Sequence, residues 1–193
     1  MAHIVDYAKS VADTLSKQNS WRWAMRLTGE RVTIRAFTAA DAKAYLDYAR
    51  DPAVAVPAGL QPIDTLAEAV AVVTNFAATN TGFAVTVADR LVGHIAVYER
   101  PAADGAPDPH SREIGYALAP AAWGHGYMQE ALRLMLAALA AHGVAAVWAT
   151  VLPTNRRSIK VLARTGFAYV DTAPTGIGPD QQLAAIFVWH PEK

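Results

Sequence analysis

Two glycines, Gly124 and Gly126, stand between an apolar strand and a long apolar helix, and this junction constrains the chain more than any other feature. The strand is Ile114-Gly115-Tyr116-Ala117-Leu118, closed by Pro120. The helix runs from about Tyr127 to His142, with Met128, Ala131/Leu132, Met135 and Leu139 recurring at three- and four-residue spacing. Glycines there let backbone N–H groups converge on one point at a helix start. Such a start already carries orphan donors and the positive end of the macrodipole. The sequence therefore encodes a seat for a phosphate or pyrophosphate.

Three phosphate-binding schemes compete for that seat. A nucleoside triphosphate loop needs a Lys after its last glycine, and Gly126 is followed by Tyr127. A dinucleotide fingerprint wants a third glycine where Gln129 stands, and an acid about 20 residues onward. No Asp or Glu occurs between Glu130 and Asp171. That acid-free stretch instead holds Arg133, Arg156, Arg157, Lys160 and Arg164, although the whole chain has a formal net charge of zero. Such segregation suits a polyanion lying along the segment; a solvated basic helix face is the other reading.

Further residues extend the pattern. The order Glu113-Ile-Gly-Tyr-Ala-Leu, Trp123-Gly-His-Gly-Tyr, Asn155-x-x-Ser158 and Gly166-Phe167 resembles the GNAT N-acetyltransferases. It is most similar to their RimJ/RimL-type branch, the ribosomal-protein N-terminal acetyltransferases and their relatives. The opening Gly29-Glu30-Arg31-Val32-Thr33-Ile34-Arg35, followed by Asp41-Ala42, matches how that branch begins, and the resemblance covers about Leu27 to His190.

The resemblance implies acetyl-CoA as donor, no metal, and an amine-bearing acceptor, either a protein N-terminal α-amine or a small molecule such as a polyamine, amino acid or antibiotic. In the family's pyrophosphate loop, [QR]-x-x-G-x-[GA], Gly126 takes the glycine position. Trp123 stands where Gln or Arg is usual and Met128 where Gly or Ala is usual. Trp123, Gly124, His125, Gly126, Tyr127 and Met128 are thereby expected to contact pyrophosphate. Leu118 is expected to offer backbone contacts to the pantetheine arm, with Ala117 beside the thioester. Asn155 is expected to meet the arm, and Ser158 to protonate the leaving thiolate.

The residues themselves leave alternatives open. Glu113, Gly115 and Ala117 share one strand face, so a carboxylate at Glu113 suits a base acting through water; a strand-end charge paired to a neighbouring arginine explains it equally. Asn155 as N-cap and Ser158 as a first-turn residue need no cofactor. Tyr116, Tyr127 and Tyr169 are rival hydroxyl donors or core aromatics. His94 either faces the acceptor or is a satisfied strand histidine. No histidine pairing has metal-ligand spacing.

Composition narrows the class. At 193 residues, 53% of them hydrophobic, the chain suits one domain with a full core. Neutrality argues against nucleic-acid binding. The absence of cysteine excludes a cysteine acyl-enzyme and leaves direct transfer in a ternary complex as the default. No secretion signal or bilayer-length apolar run is read, so the expectation is a cytoplasmic protein without membrane contact. A catalytically silent CoA-binding module is the reading from another class.

The periodicities predict an N-terminal helix within residues 1–20, serving as a cap or a homodimer contact, a strand at 31–37 and a helix at 42–50 with Asp41 as N-cap. A stop at Asp51-Pro52, a loop at 57–62 and a helix at 64–78 follow. A hairpin (83–87 and 91–98) turning at Asp89-Arg90 precedes the Glu113 strand. Beyond the Gly126 helix come a strand at 146–151, a helix at 155–164, strands at 167–170 and 183–189, and a loop at 172–179. The fold class is α/β, a GNAT-type sandwich with a mixed, mostly antiparallel sheet splayed around the cofactor.

Overall fold

The computed structural model describes residues 26–102, 104–175 and 182–192. Eight strands form one sheet: β1 (Arg26–Thr28), β2 (Thr33–Ala36), β3 (Gly82–Val87), β4 (Arg90–Glu99), β5 (Ser111–Leu118), β6 (Ala146–Val151), β7 (Ala168–Thr175) and β8 (Gln182–Trp189). Their order is β1-β2-β3-β4-β5-β6-β8-β7, and every neighbouring pair is antiparallel except β5 with β6. Five α-helices are among the described residues: α1 (Ala42–Ala49), α2 (Pro52–Ala58), α3 (Leu66–Thr79), α4 (Tyr127–Ala141) and α5 (Arg156–Arg164). The expected mixed, mostly antiparallel α/β sheet is therefore present. The expected N-terminal helix lies outside the described residues.

Strand alternation divides the core into two layers. On one face Ile34, Val85, Ile95, Val97, Ile114 and Val147 pack against α4 and α5. The apolar stripe of α4 (Met128, Leu132, Met135, Leu136 and Leu139) is buried there, each large side chain contributing about 1.5–3 kcal/mol. On the other face Ala84 and Ala117, with Phe37, pack beneath α1, α2 and α3, which bring Tyr45, Tyr48, Val54 and Val73 to this layer. The site lies where these layers part.

Several local expectations are corrected. Pro52 does not simply end a helix; it opens α2 as its first residue, and Asp51 caps it by accepting from Ala53 N at 2.8 Å. Pro57 falls in the last turn of α2, so the expected loop at 57–62 begins as helix. Asp41 precedes α1 in helical geometry with no cap bond. Its carboxylate instead accepts from Thr38 N at 2.8 Å and from both terminal nitrogens of Arg35 at 2.7 Å. Burial opposes ionisation there, but Arg35 and Thr38 outweigh it and hold Asp41 below the usual carboxylate range. The hairpin turns at Ala88-Asp89, both at positive φ (47° and 60°), one residue earlier than the polar pattern suggested. Residues 172–175, expected as loop, continue β7 against β8. The short β1, unread in the sequence, pairs with β2.

Candidate active site

Pairing between the two parallel strands stops early. Only Ser111, Arg112 and Glu113 of β5 have partners on β6, facing Ala146, Val147 and Trp148. Beyond Glu113, β5 follows β4 while β6 follows β8. The strands part there into a cleft of about 340 Å³, lined by Gly115, Tyr116, Thr150, Asn155 and Ser158 and floored by Pro57. The Ala119 N–H bonds to the Val92 carbonyl. By antiparallel alternation the N–H and C=O groups of Tyr116 and Leu118 then face away from β4, into the gap. An extended polar ligand laid in that gap meets a free strand edge.

A neighbouring pocket, which shares Pro57, Tyr116, Asn155 and Ser158 with this cleft, runs on to Leu118, Trp123 and Met128 at the glycine loop. Gly124 and Gly126 have φ of +82° and +78°, the left-handed region that glycine enters without a Cβ penalty. Gly126 is the N-cap of α4 and supplies no side-chain acceptor, so the first N–H groups of the helix remain available. Met128 departs from the family pattern, yet its side chain is 3% exposed and turned into the core. Only its backbone borders the loop. Trp123 donates Nε1–H to the Leu118 carbonyl at 2.9 Å, and the Arg157 guanidinium lies 4.2 Å over its ring. One of Leu118's two gap-facing groups is thus already spent, and Arg157 brings a cation of the basic stretch to the loop, with Arg133 bordering Gly126 on its other side.

A second support of the loop went unread in the sequence. Glu130, in the first turn of α4, accepts from Arg31 N at 2.8 Å, Val32 N at 3.2 Å and Arg31 Nε at 2.9 Å. The same guanidinium donates through Nη1 to the His125 carbonyl at 2.8 Å. Burial works against the Glu130 charge, but these donors prevail and hold it below its ordinary value. His125 stacks on Tyr127 with centroids 5.3 Å apart, and Arg31 sits 5.4 Å from the Tyr127 centroid. Arg31 was legible only as part of an opening motif, because its partner lies 99 residues away.

At the apex of the split stands Glu113. Its carboxylate accepts from Arg100 Nη1 at 3.1 Å and from Thr150 Oγ1 at 3.1 Å. Arg100 in turn lies 4.5 Å over the Trp148 ring. The arginine partner is Arg100, across on β4's end, rather than the adjacent Arg112, which turns to the carbonyls of Asp108 and Ser111. A carboxylate has about four lone-pair positions, so two donors leave acceptor capacity. Next on the same strand face comes Gly115, where a Cβ would meet nothing within 4 Å. Then comes Ala117, buried and level with His94. Glu113 and Gly115 are about 7 Å apart along the strand, a span one water bridges.

Across the cleft, Asn155 caps α5 by accepting from Ser158 N at 3.1 Å, while its Nδ2 donates to the Pro57 carbonyl at 3.2 Å. It ties α5 to α2. Ser158 Oγ lies 2.7 Å from the hydroxyl of Tyr116. Burial raises the Tyr116 phenol well above its ordinary value, with the Ser158 bond partly opposing, so it stays neutral. Tyr169 is exposed and bonds Thr172. His94 is buried against Tyr48, the satisfied strand histidine. Among the described residues no cluster of His, Asp and Glu suits a metal ion.

Comparison with known proteins decides the family. Residues 31–168 match the family model described as acetyltransferase (GNAT) domain. The chain belongs to the GNAT acetyltransferases. It is an acetyl-CoA-dependent acyltransferase, and no curated protein matches it. Among solved structures, a GNAT-family acetyltransferase from Bacillus anthracis superposes with a TM-score of 0.75 at 23% identity, covering 86% of this chain and 98% of that one. An aminoglycoside acetyltransferase AAC(6')-Ib in complex with coenzyme A gives 0.66 at 21%, covering 82% and 94%. The acetyl transferase from Salmonella typhimurium that modifies the N-terminal serine of 50S ribosomal subunit protein L7/L12 gives 0.70 at 13%, covering 87% and 100%. At these identities the likeness establishes the fold. The GNAT donor suits the geometry: a glycine-built helix start and a strand edge with inward-facing amides stand in the order that a pyrophosphate and an amide-bearing arm require.

Proposed function

We propose that this GNAT enzyme acetylates a protein N-terminal α-amine by direct transfer in a ternary complex, in the manner of the RimJ/RimL-type branch. The observation that carries the mechanism is the one-sided lane Glu113–Gly115–Ala117 at the mouth of the split. Acetyl-CoA brings the acetyl thioester. Gly124, Gly126 and the first turn of α4, braced by Arg31 and Glu130, receive its pyrophosphate beside Arg157. Tyr116 and Leu118 offer backbone groups to its arm, with Asn155 at the edge. Glu113, steadied by Arg100 and Thr150, takes the proton of the attacking amine through water. Ser158 offers a hydrogen bond to the departing sulfur.

Two observations support an α-amine over a polycation. Of the acids Asp51, Asp64 and Glu68, which would have to gather around a cationic drug, two are consumed locally. Asp51 caps α2, and Glu68 accepts from Asp64 N, Thr65 N and the Thr65 hydroxyl to complete a capping box. The carboxylate that does face the lane is already paired with Arg100. A polyamine or aminoglycoside gains little counter-charge there, whereas a single α-amine needs little. Release of free coenzyme A thiol is the assay, run with N-terminal peptides beside aminoglycosides, polyamines and amino acids. Turnover with peptides supports the proposal. Turnover confined to the small amines overturns the acceptor, and Glu113→Gln at the wild-type rate removes Glu113 as base.

A further inference from the structure

Ser158 has a weakness as a donor that its position in the chain makes visible. A serine in the first turn of a helix readily turns its hydroxyl back onto the carbonyl one turn earlier, or onto solvent. Either choice takes the proton away from the cleft. Here the Oγ instead lies 2.7 Å from Tyr116 Oη, a short O–H···O separation. The phenol also donates to the Ser158 carbonyl at 3.2 Å, so of its two acceptors on this residue the Oγ is the closer. Tyr116 rises from the strand whose edge faces the gap, and its ring is packed against the α4–α5 core layer. Its rotamer is therefore fixed, while the Ser158 amide is fixed by Asn155 Oδ1.

We propose that Tyr116 is a positioning residue for Ser158: its phenolic O–H donates to Ser158 Oγ and leaves the serine proton directed at the departing sulfur. This rests on the assignment of Ser158 as the donor and adds the reason why the serine is competent. The pair is asymmetric. A phenol that burial keeps neutral holds its own proton and orders the hydroxyl rotor beside it. Orientation of one neutral hydrogen bond is worth a fold-change of about five to ten in rate. The strand supplies the phenol and the helix supplies the hydroxyl, so the pair also reports whether β5 and α5 hold their spacing across the cleft.

The test is a double-mutant cycle on the full chain, with kcat and the KM for acetyl-CoA measured for Tyr116→Phe, Ser158→Ala and the double variant. Phenylalanine keeps the ring in its packing, and the thermal shift produced by coenzyme A checks that each variant still binds. The expected result is a fall in kcat of about five- to tenfold for Tyr116→Phe with KM unchanged, and a double variant no slower than Ser158→Ala alone. Multiplying effects in the double variant would show that Tyr116 acts only through stability and would overturn the proposal. So would a wild-type kcat for Tyr116→Phe while Ser158→Ala is slow. A wild-type kcat for Ser158→Ala instead removes the serine from the chemistry, and a slow Tyr116→Phe beside it makes the phenol the direct donor.

Discussion

His94 gives the fold a sensitivity to mild acid whose size follows from its surroundings. The imidazole is 2% exposed and enclosed by Phe37, Tyr45, Tyr48 and Phe76, with ring centroids 5.6–6.5 Å away. Its Nδ1 lies 2.8 Å from Tyr48 Oη, a hydrogen bond that satisfies the neutral ring. Burial pushes its pKa down from 6.5 to about 4. The folded value is the lower one, so between pH 6.5 and 4 the unfolded chain binds the extra proton and stability falls as pH falls. At about 1.4 kcal/mol per pH unit, roughly 2 kcal/mol is lost by pH 5 and roughly 3 by pH 4. Asp41 and Glu130 have folded values below those of the unfolded chain, so their contributions are present above the carboxylate range and go only at lower pH. The window from pH 7 to 5 therefore isolates the histidine. Urea midpoints across it are expected to fall for the wild type and to stay flat for His94→Asn, whose amide oxygen can still accept from Tyr48. A flat wild-type profile, or an Asn variant with the same slope, would refute the reasoning.

Three other perturbations probe the site's frame. Gly126→Val places a β-branched residue at φ +78° where the nearest atom, Arg31 Nη2, is 3.5 Å from the new Cβ, so strain rather than collision is the cost, about 1–2 kcal/mol; its melting temperature should fall and its stabilisation by coenzyme A vanish, and intact stabilisation would remove the loop from the phosphate argument. Gly93→Ala drives a Cβ into the Ala117 carbonyl and Leu118; loss of soluble, folded protein is expected, and a normal melting curve would contradict the close β4–β5 approach. Glu130→Ala strips an acceptor from three donors, and about 2 kcal/mol should be lost in urea unfolding together with a higher KM for acetyl-CoA. An unchanged KM would separate the Arg31 brace from cofactor binding.

What was legible in the chain was mostly local. The glycine loop could be read because a left-handed φ is a demand that one residue type answers, and the α4 stripe because burial on one helix face imposes its own period. The capping alternative for Asn155 is legible from its position alone, and Asn155 Oδ1 accepts from Ser158 N; its expected contact with the cofactor arm rests on the family resemblance. α2 was missed because Pro52 is equally a terminator and a first helical residue; choosing between them requires Asp51 to turn its carboxylate onward, to Ala53, a fact of geometry. Asp41 was misassigned for the same kind of reason, since Arg35 outbids the helix for its carboxylate. The Tyr116–Ser158 and Arg31–Glu130 contacts span 42 and 99 residues and exist only once the sheet is assembled. No window of sequence contains them.

One strand organises the proposed chemistry through its two-residue period. Glu113, Gly115 and Ala117 face the α1–α3 side of β5, and Tyr116 faces the α4–α5 side, where it meets Ser158. The group proposed to take a proton from the amine and the pair proposed to steady the sulfur thus stand at opposite mouths of one gap. That separation suits addition of the amine to the thioester carbonyl and collapse of the tetrahedral adduct: the amine gives its proton on the Glu113 side, the sulfur leaves on the Ser158 side, and the base does not neutralise the donor. A slip of β5 by a single residue would exchange the two faces and lose both roles at once. The close approach of Gly93 to Ala117, which admits no Cβ, is what pins that register. A glycine remote from the phosphate loop is in this sense as tightly bound to the reaction as the pair that forms it.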